Sequence, residues 1–333
     1  MMKIAFFDTK PYDRELFDRM NKDFGFTIKY YETKLTEDSV TLTKGYDVVC
    51  VFVNDTVKKT VIHELLKNDI KMIALRCAGF NNVDVAATKC KIPVVRVPAY
   101  SPYAIAEHTV ALILALNRKI YRAYIRTRES NFSLNGLMGF DMFGKTAGII
   151  GTGKIGLLTI GILKGFGMRV LAYDVFPNRD AAQQYGFEYT TLDYIYKESD
   201  VISLHCPLTQ ETEYLVNAES LEQMKKGVMI INTGRGKLID TRALIKGLKS
   251  GQVGYAGLDV YEEERDFFFE DQSDMILTDD VLARLLTFNN VIITSHQGFF
   301  TREALESIAL TTLNNIREME AGMELTNRVV CKP

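Results

Sequence analysis

The three glycines of Gly151-Thr152-Gly153-Lys154-Ile155-Gly156 constrain this chain more than any other stretch. They follow an apolar run, Thr146–Ile150, and open a helical pattern from Leu157 to Phe166. A second β-like run, Met168–Tyr173, then ends at Asp174. Strand, glycine turn, helix, strand and an acid roughly 20 residues on is the layout of a dinucleotide-binding unit. The first glycine permits the tight turn, the second lets backbone approach a pyrophosphate, and the third packs helix closely on strand. The pyrophosphate would rest on the unpaired amides that open the helix, around Thr152, Gly153, Lys154, Ile155 and Gly156. Asp174 would accept from the ribose hydroxyls. Residues 1–145 come before this unit, so either a separate domain precedes it or it is inserted into another domain.

The composition excludes several partners. Forty basic against 42 acidic residues give a net charge of −2, which favours neither nucleic acid nor an anionic membrane. The longest apolar stretch, Val110–Leu116, falls far short of the ~18–20 residues that span a bilayer. The first residues, Met1–Asp8, read as a strand and not as a targeting segment. Cys50, Cys77, Cys90, Cys206 and Cys331 are scattered without a CxxC pair, as expected of reduced thiols in a cytoplasmic protein. The four histidines are equally dispersed, so no metal site is expected.

Along the first hundred residues strand and helix signals alternate. Strands are expected at Lys3–Phe7, Phe26–Tyr31, Asp47–Val53, Met72–Leu75 and Val94–Val97, and helices at Pro11–Phe24, near Thr36–Lys44 and at Lys58–Asn68. Repeated βα units imply a parallel, doubly wound sheet, here without a glycine loop to hold a nucleotide. Pro98–Pro102 breaks the pattern, and one long helix is expected from about Tyr103 to Ser130 with Pro102 in its first turn. Beyond the glycine motif, helices are expected near Arg179–Tyr185 and Leu192–Lys197. Apolar strands follow at Asp200–His205, Val228–Asn232, Tyr255–Val260 and Val291–Thr294, and a helix from about Arg302 to Ala321 closes the chain.

Asp174, His205, Thr233-Gly234-Arg235-Gly236, Asp259 and His296 all lie at or just beyond the C-terminal ends of these strands, where open α/β sheets bind ligands. With a nicotinamide cofactor the hydride chemistry is the cofactor's own. A protein that reduces a 2-oxo acid must then hold a carboxylate, polarise a carbonyl and move one proton. Arg235, between two glycines at a strand end, offers a rigid fork of donors for the first two tasks. His63 and His108 read as solvent-facing or packing residues on helices. His205 and His296 each follow a strand and are both candidates for the acid/base, the role histidine fills near neutrality. Glu262, Glu263 and Glu264 form an acidic run in which spacing selects no member.

Gly151–Gly156, Asn232–Gly236, Gly257–Glu264 and His296-Gln297-Gly298-Phe299-Phe300-Thr301, in this order, resemble the D-isomer-specific 2-hydroxyacid dehydrogenase family. Arg76–Asp84, Val97–Tyr100 and Arg265–Asp271 resemble its bacterial fermentative D-lactate dehydrogenase subgroup. The resemblance implies two doubly wound domains: a Rossmann NAD-binding domain, residues 101–298, inserted into a flavodoxin-like catalytic domain, residues 1–100 and 299–333. It implies NADH-dependent, reversible reduction of pyruvate to D-lactate. Arg235 binds and polarises the substrate, His296 donates the proton, and Glu264 orients the imidazole and favours its charged form. His205, Cys206, Pro207, Thr233, Gly234 and Asp259 fall beside the cofactor, and Glu262 and Glu263 become loop charges. Cys77, Ala78 and Gly79 help hold the carboxylate, and Tyr100 and Phe299 receive the methyl end. Many relatives carry Ser at the position of Gly234, a departure that bears on affinity and not on the reaction. The alternatives are a relative acting on another 2-oxo acid and an NAD-sensing corepressor-like protein, and retention of Arg235, Glu264 and His296 together weighs against the second. The chain is expected to be a cytoplasmic homo-oligomer, a dimer or tetramer.

Overall fold

A computed structural model describes residues 1–89, 91–264 and 267–330. Cys90, Arg265, Asp266 and residues 331–333 lie outside the described residues, so two of the cysteines and part of the 265–271 motif do too. The chain divides into two compact units, Met1–Ser101 with Phe300–Pro333, and Pro102–Phe299.

In the first unit β1 (Lys3–Phe6), α1 (Pro11–Met20), β2 (Thr27–Tyr30), β3 (Val48–Val51), α2 (Lys59–Lys67), β4 (Met72–Leu75) and β5 (Val94–Val95) follow the expected alternation. The strands form one parallel sheet in the order β2-β1-β3-β4-β5, the flavodoxin-like order. The expected helix near Thr36–Lys44 is only a 3-10 turn, Val40–Thr43. Here Ser39 Oγ accepts from the Thr36 amide and donates to the Lys34 carbonyl, so a local side-chain bond competes with the helical ladder.

The second unit opens with two helices where one was expected, α3 (Pro102–Arg118) and α4 (Ile120–Arg128). The break is at Lys119, which takes a left-handed conformation with φ 50°. The chain returning at 138–140 packs there: Asn117 exchanges two hydrogen bonds with the Phe140 backbone, and Lys119 Nζ donates to the Met138 carbonyl. Then follow β6 (Thr146–Ile150), α5 (Lys154–Gly165), β7 (Arg169–Tyr173), α6 (Arg179–Tyr185), β8 (Glu188–Tyr189), α7 (Leu192–Glu198) and β9 (Val201–Leu204). The unit continues with α8 (Ala218–Gln223), β10 (Val228–Asn232), α9 (Thr241–Ser250), β11 (Val253–Leu258), α10 (Asp280–Leu286) and β12 (Val291–Ile293).

All seven strands of this unit are parallel, in the order β12-β11-β10-β9-β6-β7-β8, a doubly wound sheet whose order reverses between β6 and β9. Alternate strand residues face two separate cores. Ile149, Val170, Val201 and Ile231 pack with α3 and α5, whereas Ile150, Leu171, Ile202 and Ile230 pack with α7, α8 and α9. Burial on both faces explains the unbroken apolar strands. The chain then returns to the first unit through α11 (Arg302–Glu320), whose Ala309, Leu313 and Ile316 share a core with Ile4, Phe6 and Phe17.

Candidate active site

Register sets the site. Ile150 pairs with both Tyr173 and Leu204, Asn232 with Leu204 and Leu258, and Leu258 with Ile293. The residues that follow these, Gly151, Asp174, His205, Thr233, Asp259 and Thr294, therefore form one row along the C-terminal edge of the seven-stranded sheet. Arg235, Glu264 and His296 belong to the loops that leave this row.

The three glycines answer to three different constraints. A Cβ on Gly151, at φ +98°, would sit 2.6 Å from the Cys206 amide nitrogen and the His205 carbonyl carbon. One on Gly156 would overlap the Gly151 carbonyl, so the first turn of α5 lies directly on the strand end. A Cβ on Gly153 would meet nothing within 4 Å. Open space over Gly153, the N-cap of a twelve-residue helix, fits a pyrophosphate on the helix amides. Asp174 accepts from the Thr152 amide at 2.6 Å, the Thr152 hydroxyl at 2.9 Å and the Phe176 amide at 2.9 Å. Burial opposes its charge, but these donors outweigh burial and hold the carboxyl below its usual range. It is thus a fixed anion beside the glycine turn.

His205 is partly buried and hydrogen-bonded through Nε2 to the Ser203 hydroxyl at 2.9 Å. Burial pushes its imidazole down to about 4, so it is neutral at neutral pH. Cys206 and Pro207 continue the same loop, and burial raises the Cys206 thiol to about 11. Cys50 and Cys206 are free thiols.

The buried side chain of Asn232 shapes the next turn. Its amide donates to the Arg235 carbonyl at 2.8 Å and accepts from the Gly234 amide at 3.0 Å. Thr233 is tied to Thr109 of α3, hydroxyl to hydroxyl, at 2.9 Å. Arg235 is half-buried, its Nη1 donates to the Gly234 carbonyl at 2.7 Å, and no carboxylate among the described residues pairs with it. A Cβ on Gly236 would overlap the Tyr261 carbonyl, so this glycine lets the 261–264 loop close on the arginine turn.

That loop carries Glu264, whose Oε2 accepts from the Tyr261 amide at 3.0 Å while Oε1 lies 2.9 Å from His296 Nδ1. The pairing assigns the Nδ1 proton to the bond with the carboxylate and leaves Nε2 for other partners. His296 itself is left-handed, φ 54°, held by its amide donating to the Asp259 and Thr294 carbonyls. Phe269 lies against both its ring and that of Phe299, with centroids 6.0 Å and 6.5 Å apart. Glu262 departs from the expected loop charge: it accepts from the Thr241 amide at 2.8 Å and the Tyr214 hydroxyl at 2.9 Å, tying down the start of α9. Glu263 is exposed.

Asp259, 1% exposed, accepts from Thr294 Oγ1 and from the amides of Gln297 and Gly298. His108, read above as a solvent-facing or packing residue, instead reaches Asp259 Oδ1 at 3.3 Å and Thr294 Oγ1 at 3.1 Å. Spacing carried the signal: Ala104, Leu112 and Leu116, all buried, stand at four-residue intervals from it on α3. Cys77, Ala78 and Gly79 follow β4 in the first unit, Arg96 Nη1 donates to the Ala78 carbonyl at 2.8 Å, and Tyr100 lies beyond β5. Among the described residues no helix is long and apolar enough to cross a membrane, and no group of three or more His, Cys, Asp or Glu is placed to hold a metal ion.

Residues 110–298 match the family described as D-isomer specific 2-hydroxyacid dehydrogenase, NAD binding domain. The chain is 53% identical to D-lactate dehydrogenase of Escherichia coli strain K12 over 99% of its own length and 100% of that protein's. The apo-structure of D-lactate dehydrogenase from Escherichia coli superimposes with a TM-score of 0.91 at 51% identity, covering 99% of this chain and 100% of that one. The pyruvate reductase of Chlamydomonas reinhardtii does so with a TM-score of 0.94 at 44% identity, covering 98% of both chains. A glycine turn with an acid bonded to it, an arginine turn and a paired histidine and glutamate on one sheet edge accompany this full-length likeness, and the chain belongs to the D-isomer specific 2-hydroxyacid dehydrogenase family.

Proposed function

We propose that this protein is a D-lactate dehydrogenase that reduces pyruvate with NADH, reversibly. The observation that carries the reading is the Glu264–His296 pair, whose Glu264 lies on the loop that closes on the Arg235 turn, with no carboxylate among the described residues paired to that arginine. NAD, when bound, supplies the hydride chemistry, with Thr152–Gly156 and Asp174 as its phosphate and ribose contacts and His205, Cys206, Pro207, Thr233, Gly234 and Asp259 beside it. Arg235 holds the substrate carboxylate and polarises the carbonyl. His296 keeps Nδ1 on Glu264 and presents Nε2 as proton donor to the developing alkoxide, and in the oxidative direction it accepts that proton. Cys77, Ala78 and Gly79 help hold the carboxylate, while Tyr100 and Phe299 limit the methyl end. The likeness to named D-lactate dehydrogenases along the whole chain supports pyruvate as the substrate. The free thiols suit a cytoplasmic protein, and the exposed apolar side chains of α4 suit a homo-oligomer.

The test is NADH oxidation across glyoxylate, pyruvate, hydroxypyruvate, 2-oxobutyrate and phenylpyruvate. Pyruvate should be preferred, and 2-oxobutyrate should remain a weaker substrate, because one methylene changes selectivity by only ~1–3 kcal/mol. Faster turnover of phenylpyruvate would reject the pyruvate assignment. His296→Gln should lose roughly 10²–10⁴-fold in turnover, and Arg235→Gln should damage both turnover and pyruvate KM. His205→Gln, which removes an imidazole already neutral, should leave turnover within a few-fold. A greater loss from His205→Gln than from His296→Gln would transfer the proton to the wrong histidine for this reading.

A further inference from the structure

His108 sits one layer behind the site just described, on a helix that contributes no residue to the proposed chemistry. Its Nε2 faces Thr294 Oγ1 at 3.1 Å and Asp259 Oδ1 at 3.3 Å. The Thr294 hydroxyl gives its proton to Asp259 Oδ1 at 2.5 Å, so toward His108 it can only accept. The other neighbour is a carboxylate oxygen. Nε2 therefore carries a proton, and the imidazole acts as a fixed donor into the Asp259–Thr294 pair.

That pair governs where His296 lies. The Asp259 carbonyl accepts the His296 amide at 2.8 Å, and its carboxylate accepts the amides of Gln297 and Gly298, both at 2.8 Å. The Thr294 carbonyl accepts the His296 amide as well, at 3.0 Å. Every one of these bonds belongs to the turn that keeps His296 left-handed, a conformation that favours glycine and must be held by its surroundings. Contact extends to the end of the turn: a Cβ on Gly298 would stand 2.8 Å from Asp259 Oδ2 and 3.4 Å from His108 Cδ2. Burial of the Asp259 carboxylate opposes its charge, and the donation from His108 and Thr294 outweighs that penalty.

We infer that His108 is a positioning residue for His296, acting through Asp259 and Thr294 on the 294–298 turn. The inference rests on the proposed role of His296 and predicts a coupling that a role in stability alone would not produce. Without the donor, Asp259 loses a charge-assisted hydrogen bond and the turn relaxes, so His296 presents Nε2 less well to the carbonyl oxygen.

The experiment is a double-mutant cycle on the full chain, reading kcat for pyruvate reduction at saturating NADH, with melting temperature recorded for each variant. His108→Ala should lower kcat by about ten-fold or more. His108→Gln, which retains an amide donor, should recover most of that loss. In a His296→Gln background His108→Ala should cost less than about two-fold, since the residue it positions is gone. An equal loss in both backgrounds, no loss in the first, or no recovery by Gln would overturn the inference while leaving the role of His296 intact. Undiminished turnover of His296→Gln alone would remove the proton-donor assignment and this inference with it.

Discussion

Single residues carry opposite charge requirements along one sheet edge. In the proposed site Asp174 is the ribose-side anion, and three protein donors keep it ionised. A 2′-phosphate would meet that fixed anion, and the next residues, Val175, Phe176 and Pro177, bring no cation. NADH should therefore be favoured over NADPH by a wide margin in kcat/KM, and Asp174→Ser should narrow it. Equal efficiency of the unmodified protein with both coenzymes would remove this role from Asp174. His205 has the opposite need. Its imidazole titrates at about 4, against ~6.5 in an unfolded chain. Between those values the unfolded state takes up a proton that the folded state refuses. The stability linked to His205 is thus complete above pH ~6.5 and is lost as pH falls toward 4. Calorimetry from pH 7 to 4.5 should show a shallower decline of melting temperature for His205→Gln than for the unmodified protein. Parallel curves would mean that this histidine is not protected from protonation.

Elements decide which glycines tolerate a side chain. In the β10–α9 loop, a Cβ on Gly234 would make ordinary contacts at 3.5–3.6 Å, whereas one on Gly236 would collide with Tyr261 backbone. Gly234→Ser should accordingly stay within ~0.5 kcal/mol of the unmodified stability. Gly236→Ala should cost ~1–3 kcal/mol and should also reduce turnover, because Glu264 lies on the displaced loop. Chemical unfolding with parallel assays separates the two, and equal tolerance would refute the close approach. The same loop shows what the sequence could disclose. The strands were legible because parallel strands buried on both faces read as apolar runs, and the strand-end residues followed from them. The choice of His296 over His205, and of Glu264 within its acidic run, was not legible from spacing, since it depends on which loops the register brings together. Asn232 and Thr294 were read only as strand ends and motif positions, because their hydrogen bonds to a turn and to a buried carboxylate leave no periodic trace. The break at Lys119 was missed because it depends on residues 138–140 returning to the helix end.

At the scale of the whole molecule, the surface formed by α4 and the segment after it exposes a run of large apolar side chains. No residue of α4 is buried, and Ile120, Tyr124 and Ile125 are more than half exposed. The segment after it exposes Phe132 at 75%, Leu134 at 81% and Met138 at 85%. Large apolar side chains scattered singly need no explanation, but a run of six within twenty residues marks an interaction site. Arg122, Arg126 and Arg128 lie among them, so the surface mixes apolar and basic groups and is unlike a membrane-spanning face. A second copy of the chain is the partner that fits the homo-oligomer proposed above, and it would cover the same patch on both molecules. Sedimentation velocity should then give a mass of at least twice 37.7 kDa. Tyr124→Glu combined with Leu134→Glu should shift the protein toward 37.7 kDa, because two buried carboxylates without partners oppose association. A single species of 37.7 kDa for the unmodified protein at micromolar concentration would refute the assembly. Unchanged sedimentation of the double variant would place the interface elsewhere.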